Sequence, residues 1–300
     1  MKIHENYPLA PRTYYRIGGA ARWCAFPETE EQVRQLFHEF SDCPCKAAPW
    51  VMGGGANLLV SDAGYDGLVI CTEALSRFHI EEATIAAQAG VVLNTLVGRA
   101  VEKNFAGFAS LAGIPGSLGG GIRMNAGAFG ATISDSLSIV RWYNPVTDTM
   151  EEDVPSQLSF SYRSSFFSHT PSVILSARFS TCLGSGAEGV LREDILQRRK
   201  RKQPLEFPSC GSVFKRPPGA FAGALIEEAG LKGYTCGGAQ VSPHHANFII
   251  NRSRRARAEH VLSIINECRR RVYELRGILL EPEVILLGEF LQELWRPNSV

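Results

Sequence analysis

Ser212 stands in the string Gly211-Ser212-Val213-Phe214-Lys215-Arg216-Pro217, with a glycine before it, an apolar pair after it and two cations following. A serine so placed reads as a proton donor held by a tight turn. Such a donor is useful where charge develops, and two other strings carry groups that could meet that charge. Ser161-Tyr162-Arg163 offers a guanidinium, whose planar fork matches a carboxylate and which stays protonated near neutrality. Glu281-Pro282-Glu283-Val284 offers a carboxyl group, with Glu281 and Glu283 as rivals. An isolated serine is a poor acid, so neighbouring charge must assist Ser212, and Lys215 is the nearest cation in the string. Each residue also has an ordinary reading: a surface ion pair for Arg163, a turn cap for Ser212, an exposed strand-edge acid for Glu283.

Two glycine-rich segments lie upstream. Gly53-Gly54-Gly55-Ala56-Asn57-Leu58-Leu59-Val60 follows the apolar run Trp50-Val51-Met52. Gly113-Ile114-Pro115-Gly116-Ser117-Leu118-Gly119-Gly120-Gly121 leads into Met124-Asn125-Ala126-Gly127-Ala128 and exceeds what a turn requires. Successive glycines let backbone N–H groups approach an anion without side-chain obstruction. Neither segment continues as Gly-Lys-Ser/Thr, so neither is an ATPase-type phosphate loop. Neither has the G-x-G-x-x-G setting of a Rossmann fingerprint. Tight turns with close backbone packing are the plain alternative, and the loops alone name no cofactor.

These segments need elements to hold them. Gly19 to Phe26, Trp50 to Met52, Leu68 to Ile70, the alternation Ile139, Arg141, Tyr143, and the run Val173 to Phe179 read as strands. Thr29 opens a helix, with Gln32 at capping-box spacing and Val33, Leu36, Phe37 and Phe40 on one face. Leu93 to Lys103 is a second helix. Ala258 to Arg276 is the clearest, with Val261, Ile264, Ile265, Cys268, Val272 and Leu275 on one face and Gly277 placed to end it. Small residues from Leu183 to Ala187 mark a boundary. The sum is α+β or mixed α/β in two modules, the second centred on the 258–276 helix.

Three hundred residues fit about two domains. A formal charge of +1 gives no reason to expect nonspecific binding to nucleic acid or membrane, so any basic patch must be local. Arg198-Arg199-Lys200-Arg201-Lys202 mimics a nucleic-acid patch but follows Leu191, Ile195 and Leu196, which suits a solvated helix end; partial service to a diphosphate is the next reading. No run approaches the roughly 18 apolar residues of a membrane span, and no signal-peptide stretch follows Met1, so the cytosol is expected. The eight cysteines are scattered, with only Cys43 and Cys45 close, and are read as buried, reduced thiols. His244 and His245 have no partners at metal spacing, and no metal is expected.

Taken together and in order, the strings resemble the UDP-N-acetylenolpyruvoylglucosamine reductase family. The resemblance runs through Arg16-Ile17-Gly18-Gly19, both glycine segments, Ser161-Tyr162-Arg163, Gly211 to Pro217, Leu225 to Gly233, Ser242-Pro243-His244-His245-Ala246-Asn247-Phe248 and Glu281 to Val284. It implies an α+β fold: an FAD-binding region of the vanillyl-alcohol-oxidase type over residues 1–182, in subdomains of about 1–72 and 73–182, and an α+β substrate domain over 183–300. It implies bound FAD held by Gly53, Gly54, Gly55, Ala56, Asn57, Leu58, Gly113, Ile114, Pro115 and Gly116, with Asn125, Ala126 and Gly127 lining the same cleft. NADPH is the implied co-substrate and an enolpyruvyl sugar nucleotide the implied partner, with UDP-N-acetylmuramate for cell-wall peptidoglycan as product.

The resemblance also assigns the chemistry. Hydride reaches the terminal carbon of an enol ether, charge grows on the adjacent carboxylate, and Arg163 meets it. Ser212 supplies the proton and Glu283, which matches the family's Glu-Val pair, helps polarise the carboxylate. Lys215, Arg216, Gln240, His245 and Asn247 are candidate substrate contacts. Arg163 and Ser212 are 49 positions apart with no tyrosine between them, which resembles the shorter type lacking a tyrosine clamp. Ala56, Arg123, Phe129 and Thr132 depart from frequent family choices and put individual flavin contacts in doubt. Two rivals stand: an oxidase of the same fold, which would react with dioxygen, and a flavin or nucleotide carrier without turnover.

Overall fold

The computed structural model describes residues 1–41 and 45–297; Cys43 lies outside the described residues. The chain forms two compact units. One comprises Met1–His4, Trp23–Gly54 and Gly67–Arg199, the other Glu5–Arg22, Gly55–Asp66 and the chain from Lys200 onward.

In the first unit, helix α1 (Glu30–Glu39) begins at Thr29, whose hydroxyl accepts from Gln32 N–H at 3.2 Å. The return bond goes from Glu28 N–H to Gln32 Oε1 at 2.8 Å, one residue further back than a strict capping box. The apolar stripe of α1 divides between two clusters. Leu36 packs with Ala25, Leu68 and Ile70, and Val33 with Tyr143, Val173 and Leu175. Strands Ala20–Phe26, Tyr65–Cys71 and Trp50–Met52 lie in that order in a four-stranded sheet edged by Lys2–Pro8. Trp50–Met52 runs parallel to Tyr65–Cys71, Val51 opposite Ile70, and then delivers the first glycine string.

The rest of this unit is an antiparallel five-stranded sheet in the order Thr149–Asp153, Leu137–Asn144, Val173–Ser180, Thr84–Gln88, Phe78–Glu81. Helix α2 (Leu93–Glu102) buries Leu93, Leu96, Val97 and Ala100 in the same core. Leu93, Leu96 and Val97 each contribute about 1.5–3 kcal/mol relative to exposure. A short helix α3 (Leu118–Arg123) follows, and α4 (Glu188–Lys202) buries only Ile195 fully.

The second unit holds α5 (Ala222–Glu228), the sheet Thr235–Cys236, Ala239–Val241, Ile249–Asn251, and α6 (Ala258–Arg276). Helix α6 buries Val261, Ile264, Ile265, Cys268 and Val272, as its 3.6-residue pattern predicts, and ends at Gly277 with φ 66°. The stripe stops at Val272: Leu275, expected on it, is half exposed. Asp62 starts α6, accepting from the N–H groups of Ala258 at 2.9 Å and Glu259 at 3.2 Å. Strand Leu58–Val60 pairs in parallel with Ile285–Leu287.

Cys24, Cys71, Cys182, Cys210, Cys236 and Cys268 are outside any disulfide, whereas Cys45 is disulfide-bonded, against the expectation of reduced thiols throughout. Cys182 is also exposed rather than buried. Among the described residues, no helix is long and apolar enough to cross a membrane, and no three His, Cys, Asp or Glu cluster as metal ligands.

Candidate active site

The two glycine segments meet in the first unit. A Cβ on Gly54 would lie 2.7 Å from Gly116 Cα, and one on Gly53 would collide with Ser117 Oγ. The facing backbone at Gly54 and the Ser117 hydroxyl at Gly53 leave no room for a side chain, which is the physical reason for glycine at both positions. The Ser117 hydroxyl accepts from Gly54 N–H at 3.2 Å and from Gly120 N–H at 3.5 Å, so one oxygen joins the segments and caps α3. Asn94 of α2 fixes the other end, its Oδ1 accepting from Gly113 N–H at 2.9 Å. Neither Ser117 nor Asn94 stood out in the sequence, although the Ser-x-x-Gly start of a helix could have been read at Ser117.

The second segment is shorter as a loop than its glycine content suggested. It ends at Ser117, and Gly119, Gly120 and Gly121 lie within α3. Helix glycines are normally unfavourable by about 1 kcal/mol. At Gly119 the reason is contact: a Cβ there would sit 2.9 Å from Ala89 Cβ.

Beyond α3, Asn125 and Arg163 form one constellation. Ser161 and Ser164 exchange backbone hydrogen bonds of 3.0 and 3.3 Å, which puts Tyr162 and Arg163 at the tip of a tight turn. Arg163 is left-handed, with φ 55°, unusual for an arginine and typical of strained functional turns. Its Nη2 donates to Gly127 O at 3.0 Å, and its Cζ lies 5.2 Å from the Tyr162 ring centroid. Asn125, also left-handed at φ 42°, donates from Nδ2 to Ser161 O at 3.0 Å. The Asn125 Oδ1 is buried without a hydrogen-bond partner. Ala126 is buried, and Gly127 pairs with Thr132 in a small hairpin. Ile114 packs on the core, while Pro115 is exposed.

Gly55, Ala56, Asn57 and Leu58, the remainder of the first glycine string, belong to the second unit. Gly55 O accepts from Tyr14 N–H at 3.0 Å. Asn57 reaches the C-terminal carboxylate string: its Nδ2 donates to Glu283 O at 2.9 Å, and its backbone O accepts from Ile285 N–H at 3.0 Å.

Ser212 and Glu283 are brought to neighbouring segments. Glu283 N–H donates to Val213 O at 2.7 Å, Lys215 N–H donates to Glu281 O at 2.9 Å, and Phe214 bridges Pro282. Ser212 and Glu283 are both half-buried. Asn247 clamps this pairing from the side. Its Oδ1 accepts from Phe214 N–H at 3.0 Å, its Nδ2 donates to Phe214 O at 2.9 Å, and its backbone O accepts from Val213 N–H. The Lys215 ammonium lies 2.6 Å from Glu281 Oε1, so Glu281 has an ion-pair role of its own. Burial pushes the Cys210 thiol up to about 12, with the Glu283 charge adding to the rise.

The other candidates serve several purposes. Arg216 stacks on Phe221, Cζ 4.1 Å from the ring centroid. Gln240 is buried, and its Nε2 donates to Gly233 O at 2.9 Å. Burial first lowers the His245 pKa, which favours the neutral imidazole; its Nδ1 accepts from Asn247 N–H at 3.2 Å and its ring packs on Phe248. Gln240 and Asn247 thus spend their amides on the backbone.

The residues of the first unit fit a flavin dinucleotide. Main chain and the Ser117 hydroxyl line the meeting of the two glycine segments, and the orphaned Asn125 Oδ1 is an acceptor available to a ligand donor.

Known proteins give the same result. Residues 21–149 match the family described as FAD binding domain, and residues 203–287 match UDP-N-acetylenolpyruvoylglucosamine reductase, C-terminal domain. The UDP-N-acetylenolpyruvoylglucosamine reductase of Limosilactobacillus reuteri is 39% identical over 96% of this chain and 96% of its own length. That of Caldicellulosiruptor bescii is 40% identical over 98% of this chain and 93% of its own length. The crystal structure of the Thermus caldophilus reductase superposes with a TM-score of 0.80 at 30% identity, covering 96% of this chain and 98% of that one.

The fold and the matched domains define an FAD-dependent oxidoreductase with an α+β FAD-binding domain. Within that class, the chain belongs to the UDP-N-acetylenolpyruvoylglucosamine reductase family.

Proposed function

We propose that the protein reduces the enolpyruvyl ether of UDP-N-acetylglucosamine to UDP-N-acetylmuramate with NADPH as reductant, a step in peptidoglycan precursor synthesis. Residues 1–182 carry the flavin contacts together with Arg163, and 183–300 the remaining sugar-nucleotide contacts. Gly53 and Gly116 offer open main chain to a pyrophosphate beside Gly54 and Gly113, whose N–H groups are spent on Ser117 and Asn94, and Asn125 offers its Oδ1 to a ligand donor. When bound there, FAD would supply the two-electron redox chemistry that links NADPH to the enolpyruvyl alkene.

The protein's own groups complete the addition. Arg163 holds the enolpyruvyl carboxylate and meets the charge that grows there as hydride arrives, an interaction stronger in the transition state than before it. Its left-handed turn and its bond to Gly127 O keep the guanidinium preorganised. Ser212 then gives its hydroxyl proton to the carbon beside the carboxylate, which completes addition of hydride and proton across the double bond. Glu283 orients that end of the substrate, and Lys215 adds positive charge near the serine string.

One observation carries this reading. In a chain of this family, Glu283 N–H donates to Val213 O, which holds the serine and carboxylate strings as adjacent segments. The test is anaerobic. Purified protein should be yellow, NADPH should bleach it, and the enolpyruvyl sugar nucleotide should restore the colour. Reoxidation by air but not by that substrate would mean an oxidase, and no bleaching would mean a carrier.

A further inference from the structure

The hairpin turn between strands Ala239–Val241 and Ile249–Asn251 carries Ser242-Pro243-His244-His245-Ala246-Asn247-Phe248. It is closed from within. Ser242 N–H donates to Phe248 O at 2.8 Å and Phe248 N–H to His245 O at 2.9 Å. The Ser242 hydroxyl accepts from His244 N–H at 3.1 Å and from His245 N–H at 3.3 Å. A further bond in the turn depends on a titratable side chain: His245 Nδ1 accepts from Asn247 N–H at 3.2 Å. Helix α5 covers this bond, since a Cβ at Gly223 would come within 3.5 Å of both Asn247 N and His245 Cε1.

Asn247 in turn holds the serine string. Its amide makes two bonds to the main chain of Phe214, and its carbonyl accepts from Val213 N–H, next to Ser212. The main chain of Asn247 is therefore fixed by His245 on one side and fixes the serine string on the other. An imidazole nitrogen accepts only when it carries no proton, so the bond requires neutral His245 with its hydrogen on Nε2. The imidazolium would set one N–H against another, and Asn247 N–H would have to move away.

The surroundings favour the neutral ring. Burial chiefly lowers the His245 pKa from the ordinary 6.5, and His244 in the turn, Lys232 beyond α5 and Lys202 at the end of α4 act in the same direction. A backbone hydrogen bond at His245 opposes them. Lys232 is ion-paired with Glu227 of α5, Nζ to Oε1 2.8 Å, and His244 Nε2 lies 2.6 Å from Arg201 O.

We propose that His245 is a positioning residue for proton delivery by Ser212, acting through the acceptor that its Nδ1 offers to Asn247. The inference rests on the reductase reading for the reaction that Ser212 completes. The hold is present while the ring is neutral and is lost as pH falls through a value below 6.5. Reoxidation of the reduced flavin by the enolpyruvyl sugar nucleotide should slow on that acid limb, while flavin reduction by NADPH should not share it.

The test compares His245→Asn with His245→Leu, two side chains of nearly one shape, of which only asparagine offers an acceptor in the place of Nδ1. Both half-reactions are followed anaerobically by stopped-flow absorbance across pH, with the sugar nucleotide varied. At about pH 8 and saturating sugar nucleotide, the leucine variant should reoxidise about fivefold more slowly than the asparagine variant, the rate equivalent of one net hydrogen bond. The asparagine variant, with nothing to titrate at this position, should lack the wild-type acid limb. Reduction by NADPH should agree between the two variants within about twofold. Equal saturating reoxidation rates overturn the proposal. So does a leucine variant that merely needs more sugar nucleotide, which would make His245 a direct substrate contact. If the leucine variant does not fold, the acid limb carries the test, and the same limb in wild type and His245→Asn overturns the role. Wild-type protein that never regains its colour with the sugar nucleotide would sink the reductase reading. A wild type that does, with the two variants alike, would sink the role of His245 alone.

Discussion

In the first unit the candidate ligand segments meet backbone to backbone, Gly54 against Gly116, whereas in the second they are tied by side-chain amides, Asn247 to Phe214 and Asn57 to Glu283. The first arrangement is intolerant of added atoms and indifferent to which polar groups lie nearby. The second tolerates volume but depends on particular donors and acceptors. A surface that must receive a large rigid cofactor benefits from exposed main chain, while a proton donor and a carboxylate need side chains held in fixed register.

The largest expected effect bears on the second region. Ser212→Ala should leave flavin reduction by NADPH unchanged and slow reoxidation by the enolpyruvyl substrate about a hundred- to ten-thousandfold, read by stopped-flow absorbance. Equal loss in both halves would make Ser212 a structural residue and erase the distinction. Next comes the clamp. Asn247→Ala strands the buried N–H and C=O of Phe214, at about 1–3 kcal/mol for each unsatisfied group. Urea unfolding should show that loss, and an unchanged midpoint would show that the amide ties are dispensable. The smallest change in stability is expected at the backbone contact. Gly54→Ala should cost about 1–3 kcal/mol by overpacking and weaken FAD retention, while Ser212-dependent proton transfer in the remaining holoprotein persists. Full flavin retention would mean that the loops separate easily.

What could be read in the sequence follows the range of the interactions. Helix α6 was legible to the residue because its stripe repeats every three or four positions and Gly277 closes it. The strands around Trp50, Leu68 and Val173 were legible from short apolar runs. Ser161-Tyr162-Arg163 and Asn125-Ala126-Gly127 were visible as separate strings, but not as one constellation, because Asn125 meets Ser161 and Arg163 meets Gly127 only in the fold. Arg199 was hidden for a similar reason. A run of five basic residues looks uniformly solvated until one member is found against Gly113. The glycines of α3 misled in the other direction, since composition says loop where packing against Ala89 requires small residues in a helix.

Asn57 has a consequence for genetics. It sits in the first glycine string, yet its amide and its carbonyl secure the main chain at Glu283 and Ile285, 226 positions away in the case of Glu283. A lesion near the amino-terminal glycines would therefore be pleiotropic. What looks like a defect in holding the coloured prosthetic group would also loosen an acid at the opposite end of the gene, and second-site suppressors should be sought there.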